Sequence, residues 1–129
     1  MIVVDTSAVV AALSGEPDRA RVNATLAENA AAVMSAANYL ECGIVLLARF
    51  GDAGVHDLRL YLHEAGVEVT PVDRDQTEAA LDAWMRFGKG RHPAGLNFGD
   101  CFAYSLASLR DAALLFVGED FRLTDVRVA

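Results

Sequence analysis

The chain has 129 residues, 53% of them hydrophobic, and a formal net charge of −7 at neutral pH. This length and hydrophobic content fit a single folded domain, residues 1–129, and exclude an intrinsically disordered chain. No apolar stretch approaches the roughly 20 residues that a membrane-spanning helix needs, and residues 1–13 lack the basic leader of a signal peptide, so we expect a cytoplasmic protein.

Charge and cysteine content bear on possible partners and sites. Nucleic acids prefer basic surfaces, so the acidic balance taken alone argues against nucleic-acid binding. That argument weakens if several acids converge on a divalent cation, because the cation reverses the local field. The two cysteines, Cys42 and Cys101, belong to no metal-binding pattern. We expect them to be buried and reduced.

The first half of the chain predicts two strands and four helices. Residues 1–5 contain an unbroken run of β-formers, which is typical of a strand covered on both faces of a parallel sheet. Glycine and proline end the next element, and Gly51 and Gly66 close later ones. The predicted elements are a strand at 1–5, helices at 7–13 and up to about 29, a strand at AVMSA (32–36), and helices at 37–50 and 54–65.

The second half continues the alternation and ends in a short strand. VEVTPV alternates and is β-branched, which favours a strand, whereas GKGRHPAGLNFG has the composition of a loop. The predicted elements are a strand at 67–72, a helix at 75–87, a loop at 88–99, a helix at 100–110, a strand at 113–117, a turn at 118–124 and a final strand at 126–128. This order predicts an α/β domain with a mainly parallel sheet.

Acidic residues follow two of the predicted strands. Asp5 ends the first strand, and Glu119 and Asp120 follow the fourth. Ligands of an open parallel sheet bind beyond the carboxyl ends of its strands. If the first and fourth strands are neighbours, these acids share one crevice.

Glu41 lies on a predicted helix among apolar neighbours, which are Ala37, Ile44, Val45 and Ala48. A carboxylate in that stripe should face the interior, where it needs either a charged partner or a cation. Arg49 lies two turns further along and is predicted to share this face poorly.

Each acid also has a purely structural explanation. Asp5 and Asp100 could cap the helices that follow them, Asp100 with support from Asn97. Asp120 lies in a turn, where acids are common, and Glu41 could belong to a buried ion pair.

Four segments together identify a family. They are MIVVDTSAVVAAL (1–13), MSAANYLECGIVL (34–46), GRHPAGLNFGDCFAYSLA (90–107) and LLFVGEDFRLTDV (114–126). On these segments the whole chain resembles the PIN-domain ribonucleases, specifically the VapC-type toxins of bacterial toxin–antitoxin pairs.

The resemblance implies a fold and an acidic site. The fold is a three-layer α/β/α PIN domain with a mainly parallel sheet in strand order 3-2-1-4-5. The family's small hydroxyl residue near the first acid falls on Thr6 or Ser7. Glu119 and Asp125 are alternatives for the fourth acid, and an Asn that many relatives carry before it is absent from GEDF. The four acids implied as catalytic and metal-binding are Asp5, Glu41, Asp100 and Asp120.

A carboxylate cluster can hydrolyse phosphodiesters if it binds Mg²⁺ or Mn²⁺, because these hard cations prefer oxygen ligands and acidify a bound water. We expect Asp5 and Asp100 to bind the metal directly, and Glu41 directly or through water. Asp120 would complete the site or orient the water. Thr6 or Ser7 would support a carboxylate or a water from outside the ligand set.

Basic and imidazole side chains are weaker candidates for a catalytic site than the acids. His56 and His63 share a predicted surface helix, and His92 lies in a loop, so a metal-free mechanism based on histidines is not favoured. Lys89 and Arg91 lie in the glycine-rich loop before Asp100. They are equally well explained as RNA contacts or as solvated residues.

Two other enzyme classes and one binding function are alternatives to the ribonuclease function. A phosphatase of the Asp-x-Asp type would need an acid at Ser7, and a receiver domain would need an acidic pair and a late lysine. A degenerate PIN domain that only binds RNA or protein is the remaining alternative.

The resemblance also implies an RNA substrate, a homodimer and a cognate antitoxin. Partner surfaces could include Leu26, Leu58, Leu62 and Trp84, which are at least as well explained as core.

Overall fold

A parallel sheet of four strands organises the protein, and the computed structural model describes residues 1–129. The strand order is β3-β2-β1-β4, and every pairing is parallel. The strands are β1 (Ile2–Val4), β2 (Ala32–Ser35), β3 (Val67–Thr70) and β4 (Ala113–Leu115). The helices are α1 (Thr6–Leu13), α2 (Arg19–Glu28), α3 (Ala36–Phe50), α4 (Asp52–Glu64), α5 (Arg74–Phe87) and α6 (Phe98–Leu109).

Strand β1 lies at the centre because its side chains are apolar on both faces. Ile2 and Val4 belong to a core cluster shared with α1 to α4. Val3 points to the opposite face and packs in a second cluster with residues of α5 and α6. Helices therefore cover both faces of the sheet, in the α/β/α arrangement that the family resemblance implies.

The predicted fifth strand at 126–128 is wrong as an element. The chain forms a 3₁₀ helix at Asp120–Leu123 and then bends. As a result only Val128 comes into register with β4, as an isolated parallel bridge to Leu114. The sheet accordingly has the order 3-2-1-4.

Several apolar residues that could have formed partner surfaces belong to the core. Leu26, Leu58 and Leu62 are buried in the cluster beneath α1 to α4, and Trp84 is half-buried. Both cysteines are buried free thiols, as predicted. None of the helices combines the length and hydropathy that a membrane crossing requires.

Neighbouring leucines on α3 offer a test of the packing. Leu46 is 0% exposed and Leu47 is 48% exposed. We expect Leu46→Ala to lower the free energy of unfolding by about 2–5 kcal/mol, because it leaves a cavity in the core. Leu47→Ala should change it by no more than about 0.5 kcal/mol. Chemical denaturation of both variants checks this, and similar losses for the two would contradict the burial pattern.

Candidate active site

Asp5 anchors the site at the carboxyl end of β1. Its backbone N–H donates to Leu115 O at 2.9 Å, which joins it to the end of β4. One carboxylate oxygen, Oδ2, caps α1 by accepting bonds from Ser7 N at 3.0 Å and Ser7 Oγ at 2.6 Å. Ser7 Oγ also accepts a bond from Val117 N at 3.0 Å. The capping explanation for Asp5 is therefore correct, but it accounts for only one of the two oxygens.

The other oxygen of Asp5, Oδ1, is buried without a hydrogen-bond partner. The residue is only 2% exposed. The pKa of Asp5 is raised to about 7, mainly by burial, with smaller upward contributions from Asp100 and Glu41 that act against the lowering effect of the Ser7 bonds. An unpaired buried carboxylate oxygen is costly unless a proton or a cation satisfies it.

Glu41 extends from α3 toward the same place. Its carboxylate accepts hydrogen bonds from Thr6 Oγ1 and from Asn38 Nδ2, the latter at 3.4 Å. Asn38 is fully buried and also donates to Gly99 O at 2.9 Å, so it links α3 to α6. Hydrogen bonds rather than an ion pair therefore hold the Glu41 carboxylate.

The apolar stripe predicted around Glu41 is not a core face. Ile44 is 59% exposed and Ala48 is also exposed. The buried face of α3 instead carries Asn38, Cys42 and Leu46, which are spaced by four residues. Glu41 lies on the flank of that face, where its carboxylate is half-buried. The inward orientation was predicted correctly, but for the wrong reason.

Gly99 gives the Glu41 carboxylate room. A Cβ atom at position 99 would lie 2.6 Å from Glu41 Cδ and 2.7 Å from Glu41 Oε1, closer than real contacts allow. The absence of a side chain lets the first turn of α6 pack directly on the carboxylate. Gly99 is therefore a site residue, although the sequence predicted it only as the end of the loop at 88–99.

Asp100 lies in the first turn of α6, not at its cap. Asn97 is the N-cap: its Oδ1 accepts from Asp100 N at 2.9 Å, and Asp100 Oδ2 accepts from Asn97 N at 3.0 Å. This reciprocal capping box orients the Asp100 carboxylate. Burial raises the pKa of Asp100 to about 6, and the charges of Asp120 and Glu41 add to the rise.

An open cleft of about 240 Å³ collects these groups, and we call it the acidic cleft. Helix α6 returns to the start of β4, so its N-terminus lies at the edge where the strands end. That geometry brings Asp100 to Asp5 although 95 positions separate them. The carboxylates lie along the cleft and do not close into a group of three ready to hold one ion. The lining residues are Asp5, Thr6, Ser7, Val10, Glu41, Val45, Arg49, Asn97 and Asp100.

The three candidates for the fourth acid have different surroundings. Asp120 is exposed at the start of the 3₁₀ helix, and its charge acts on Asp100. Glu119 pairs with Arg122 at 3.4 Å. Asp125 lies elsewhere, because its carboxylate accepts from Tyr104 Oη and pairs with Arg86 at 3.1 Å.

The predicted histidines and loop cations lie outside the acidic cleft. His56 and His63 are exposed on α4, and His92 accepts a bond from Ala94 N at 3.0 Å. Lys89 and Arg91 are exposed, and Arg91 Nε donates back to Met85 O at 3.2 Å.

Arg49 is the basic residue that does line the cleft. Arg49 was predicted to share the Glu41 face poorly, yet Glu41, Val45 and Arg49 line the cleft together, and their i, i+4, i+8 spacing was already visible in the sequence.

Cys42 lies beneath the site. It is fully buried, and its Sγ donates to Thr6 O at 3.8 Å. Burial raises the pKa of the Cys42 thiol to about 12, with further contributions from Asp5 and Glu41. The thiol therefore stays protonated at neutral pH and adds no charge to the cluster.

Comparison with known proteins bears on the family and the fold. The PIN domain family matches residues 2–127 of the chain. Ribonuclease VapC of Mycolicibacterium smegmatis is 52% identical over 125 residues, which cover 97% of each chain.

Solved structures share the fold at low sequence identity. Mycobacterium tuberculosis VapC20, a Sarcin-Ricin loop cleaving toxin, has a TM-score of 0.81 at 17% identity, covering 100% of this chain and 98% of that one. A chain of a toxin–antitoxin complex from Klebsiella pneumoniae has a TM-score of 0.76 at 15% identity, covering 100% and 97%. At these identities the likeness concerns the fold alone.

Gly99 allows a test of the packing around Glu41. Because Thr6 and Asn38 hold the carboxylate, it cannot withdraw from a new methyl group without losing hydrogen bonds. We expect Gly99→Ala to lower the free energy of unfolding by about 1–3 kcal/mol. Gly43→Ala, whose new Cβ makes an ordinary 3.8 Å contact with Leu58, should instead raise it by roughly 0.5–1 kcal/mol. Denaturant titrations of both variants, and of Gly99→Ala combined with Glu41→Ala, check this. A Gly99→Ala penalty that persists without Glu41 would contradict the account.

The buried carboxyl groups predict a pH dependence of stability in the presence of EDTA. The folded-state pKa values of Asp5 and Asp100 lie above the ordinary value of 3.8, so protonation favours the folded state. That stabilisation is fully present below about pH 4 and is lost as pH rises to about 6 for Asp100 and about 7 for Asp5. Asp5→Asn should therefore flatten the decline of unfolding free energy, above all between pH 6 and 7.

Asp125→Asn is the control for this titration. The hydrogen bond from Tyr104 holds the pKa of Asp125 below its usual range, so its removal should leave the decline in place. An undiminished decline in Asp5→Asn would show that the carboxyl group of Asp5 is not its source.

Proposed function

The chain belongs to the PIN-domain family, and on that premise we propose that it is a Mg²⁺- or Mn²⁺-dependent endoribonuclease toxin. It hydrolyses RNA phosphodiester bonds and is inhibited by a cognate antitoxin. We also propose that residues 1–129 form a single PIN domain and act in the cytoplasm. The observation that carries the proposal is the convergence of Asp5, Glu41 and Asp100 on one cleft, with Asp5 Oδ1 buried and unpaired.

The residues present fit a hard divalent cation. All the candidate ligands are carboxylate oxygens, which Mg²⁺ and Mn²⁺ prefer. Asp5 and Asp100 would hold the ion directly, and Glu41 directly or through water, with Asp120 beside Asp100. Mutual repulsion and burial raise two of the pKa values, so these groups gain from a cation. When bound, the ion supplies Lewis acidity that acidifies a water and offsets charge on the phosphate.

The protein's own groups then have defined roles. Ser7 fixes the Asp5 carboxylate through two hydrogen bonds to Oδ2, which leaves Oδ1 without a protein partner and free to bind a cation. Thr6 and Asn38 fix Glu41, and the Asn97 capping box fixes Asp100. Asp120 is exposed and its charge acts on Asp100, and in this proposal it orients the attacking water or accepts its proton.

RNA binding must overcome the acidic net charge. Lys89 and Arg91 lie exposed in the loop that leads to Asn97, and we keep them as candidate phosphate contacts at the rim of the site. A cation held by the acids would further reduce the repulsion.

The proposed protein partners are a cognate antitoxin and a second copy of the chain. The similarity to a chain of a toxin–antitoxin complex supports an antitoxin. The outer face of α3 exposes three large apolar side chains, Leu40, Ile44 and Leu47, and such a cluster on a surface favours a protein partner. We propose this face as the partner surface instead of Leu26, Leu58 and Leu62, which are buried in the core.

Metal-dependent cleavage of RNA tests the proposed function. Purified protein should cleave RNA with Mg²⁺ or Mn²⁺ and not with EDTA, and either ion should raise its melting temperature. Asp5→Ala and Asp100→Ala should each reduce cleavage by at least about 100-fold, because each removes a proposed ligand. Asp57→Asn, an exposed acid on α4, is the control and should retain full activity.

Two outcomes separate the alternatives, and a further experiment identifies the RNA target. Activity that survives both alanine substitutions would sink the catalytic assignment. RNA binding without cleavage by the unaltered protein would indicate a binding module instead. Sequencing the 5′ ends of RNA cleaved in cells, with Asp5→Ala as control, would identify the target.

A further inference from the structure

The acidic cleft contains one basic side chain, Arg49, in the last turn of α3. It lies on the same helix face as Glu41 and Val45. Eight residues separate Arg49 from Glu41, which corresponds to about 12 Å along the helix axis. Arg49 is therefore in the cleft but two turns away from the carboxylate cluster.

Most hydrogen-bond donors of Arg49 are free. Nη1 donates to Ser14 Oγ at 3.1 Å and lies 3.9 Å from Glu16 Oε1. Neither Nε nor Nη2 has a partner in the protein, although a guanidinium offers five N–H groups in a planar fork. The side chain is 48% exposed, so a pair at 3.9 Å holds it only weakly.

The carboxylates that line the cleft do not pair with Arg49. Glu41 is already engaged by Thr6 and Asn38, and Asp5 is only 2% exposed. The guanidinium turns instead to Ser14, the residue that ends α1. It thus remains a positive charge at the far end of a cleft whose other charges are acids.

We propose that Arg49 binds a backbone phosphate of the RNA at the end of the acidic cleft away from the bond that is cut, and that it gives up its contacts with Ser14 and Glu16 to do so. The inference rests on the proposed ribonuclease function. A planar guanidinium matches two phosphate oxygens through paired N–H groups, and the free donors of Arg49 provide this edge. Arg49 is on this account a positioning residue, and Glu16 competes with the phosphate for it.

Binding of a short single-stranded RNA, measured by fluorescence anisotropy in an Asp5→Asn background that does not cleave, tests the contact. Arg49→Gln should weaken binding about tenfold at low salt. It should also reduce the slope of log affinity against log salt by about 0.7, the value of one phosphate contact on a single strand. Arg49→Lys should keep the slope and lose part of the affinity.

A substitution of Glu16 is a control that should change RNA affinity in the opposite direction. Glu16→Gln should tighten RNA binding when Arg49 is present and have no effect in Arg49→Gln, because the two residues act through one contact. In the active protein, Arg49→Gln should raise KM and leave kcat nearly unchanged. Melting temperatures should stay within about 2 °C, because the pair with Glu16 is exposed.

Unchanged salt slopes in Arg49→Gln would overturn the inference. So would a loss of kcat and melting temperature at constant KM, which would give Arg49 a structural role. If the unaltered protein cleaves no RNA, the proposed function fails, while the salt slopes in the Asp5→Asn background still decide the role of Arg49. If that background binds no RNA at all, the phosphate contact is refuted.

Discussion

The structure depends on a carboxylate at the end of the central buried strand. Asp5 follows three apolar residues of β1 and is therefore carried to the carboxyl edge of the sheet with almost no solvent exposure. Ser7 satisfies one oxygen by capping α1, and the other stays unpaired. A buried unpaired oxygen destabilises the fold in the absence of a ligand, and a site that binds a cation has a reason to keep it.

Hydrogen bonds near Asp5 connect three helices, α1, α3 and α6. Thr6 on α1 bonds to Glu41 on α3, and Asn38 on α3 bonds to Gly99 on α6. Because Gly99 has no side chain, α6 packs directly against the Glu41 carboxylate. The same contacts therefore pack the helices and orient the acids, so a change in the packing alters the orientation and the reverse is also true. Asp120 is exposed on the 3₁₀ helix and is not among the residues that line the acidic cleft.

Local patterns predicted most of the fold and failed where the answer depended on distant contacts. Strands β1, β2 and β4 follow from short apolar runs that are buried on both faces of the parallel sheet, and the edge strand β3 follows from an alternating β-branched run. The fifth strand failed because register with β4 depends on how the chain bends after Phe121, which three residues of β-propensity do not determine. The stripe around Glu41 was misread because an exposed apolar face and a buried one look alike in sequence.

The sequence by itself determined the α/β class, the central place of β1 and the acids at or near strand ends, because strand propensity and burial act over a few residues. Only the tertiary structure decided that Asp5 Oδ1 is unpaired, that Gly99 makes room for Glu41, and that Arg49 lines the cleft. These features depend on contacts between helices far apart in the chain. A one-dimensional pattern records which residues share a face, whereas the packing decides what that face meets.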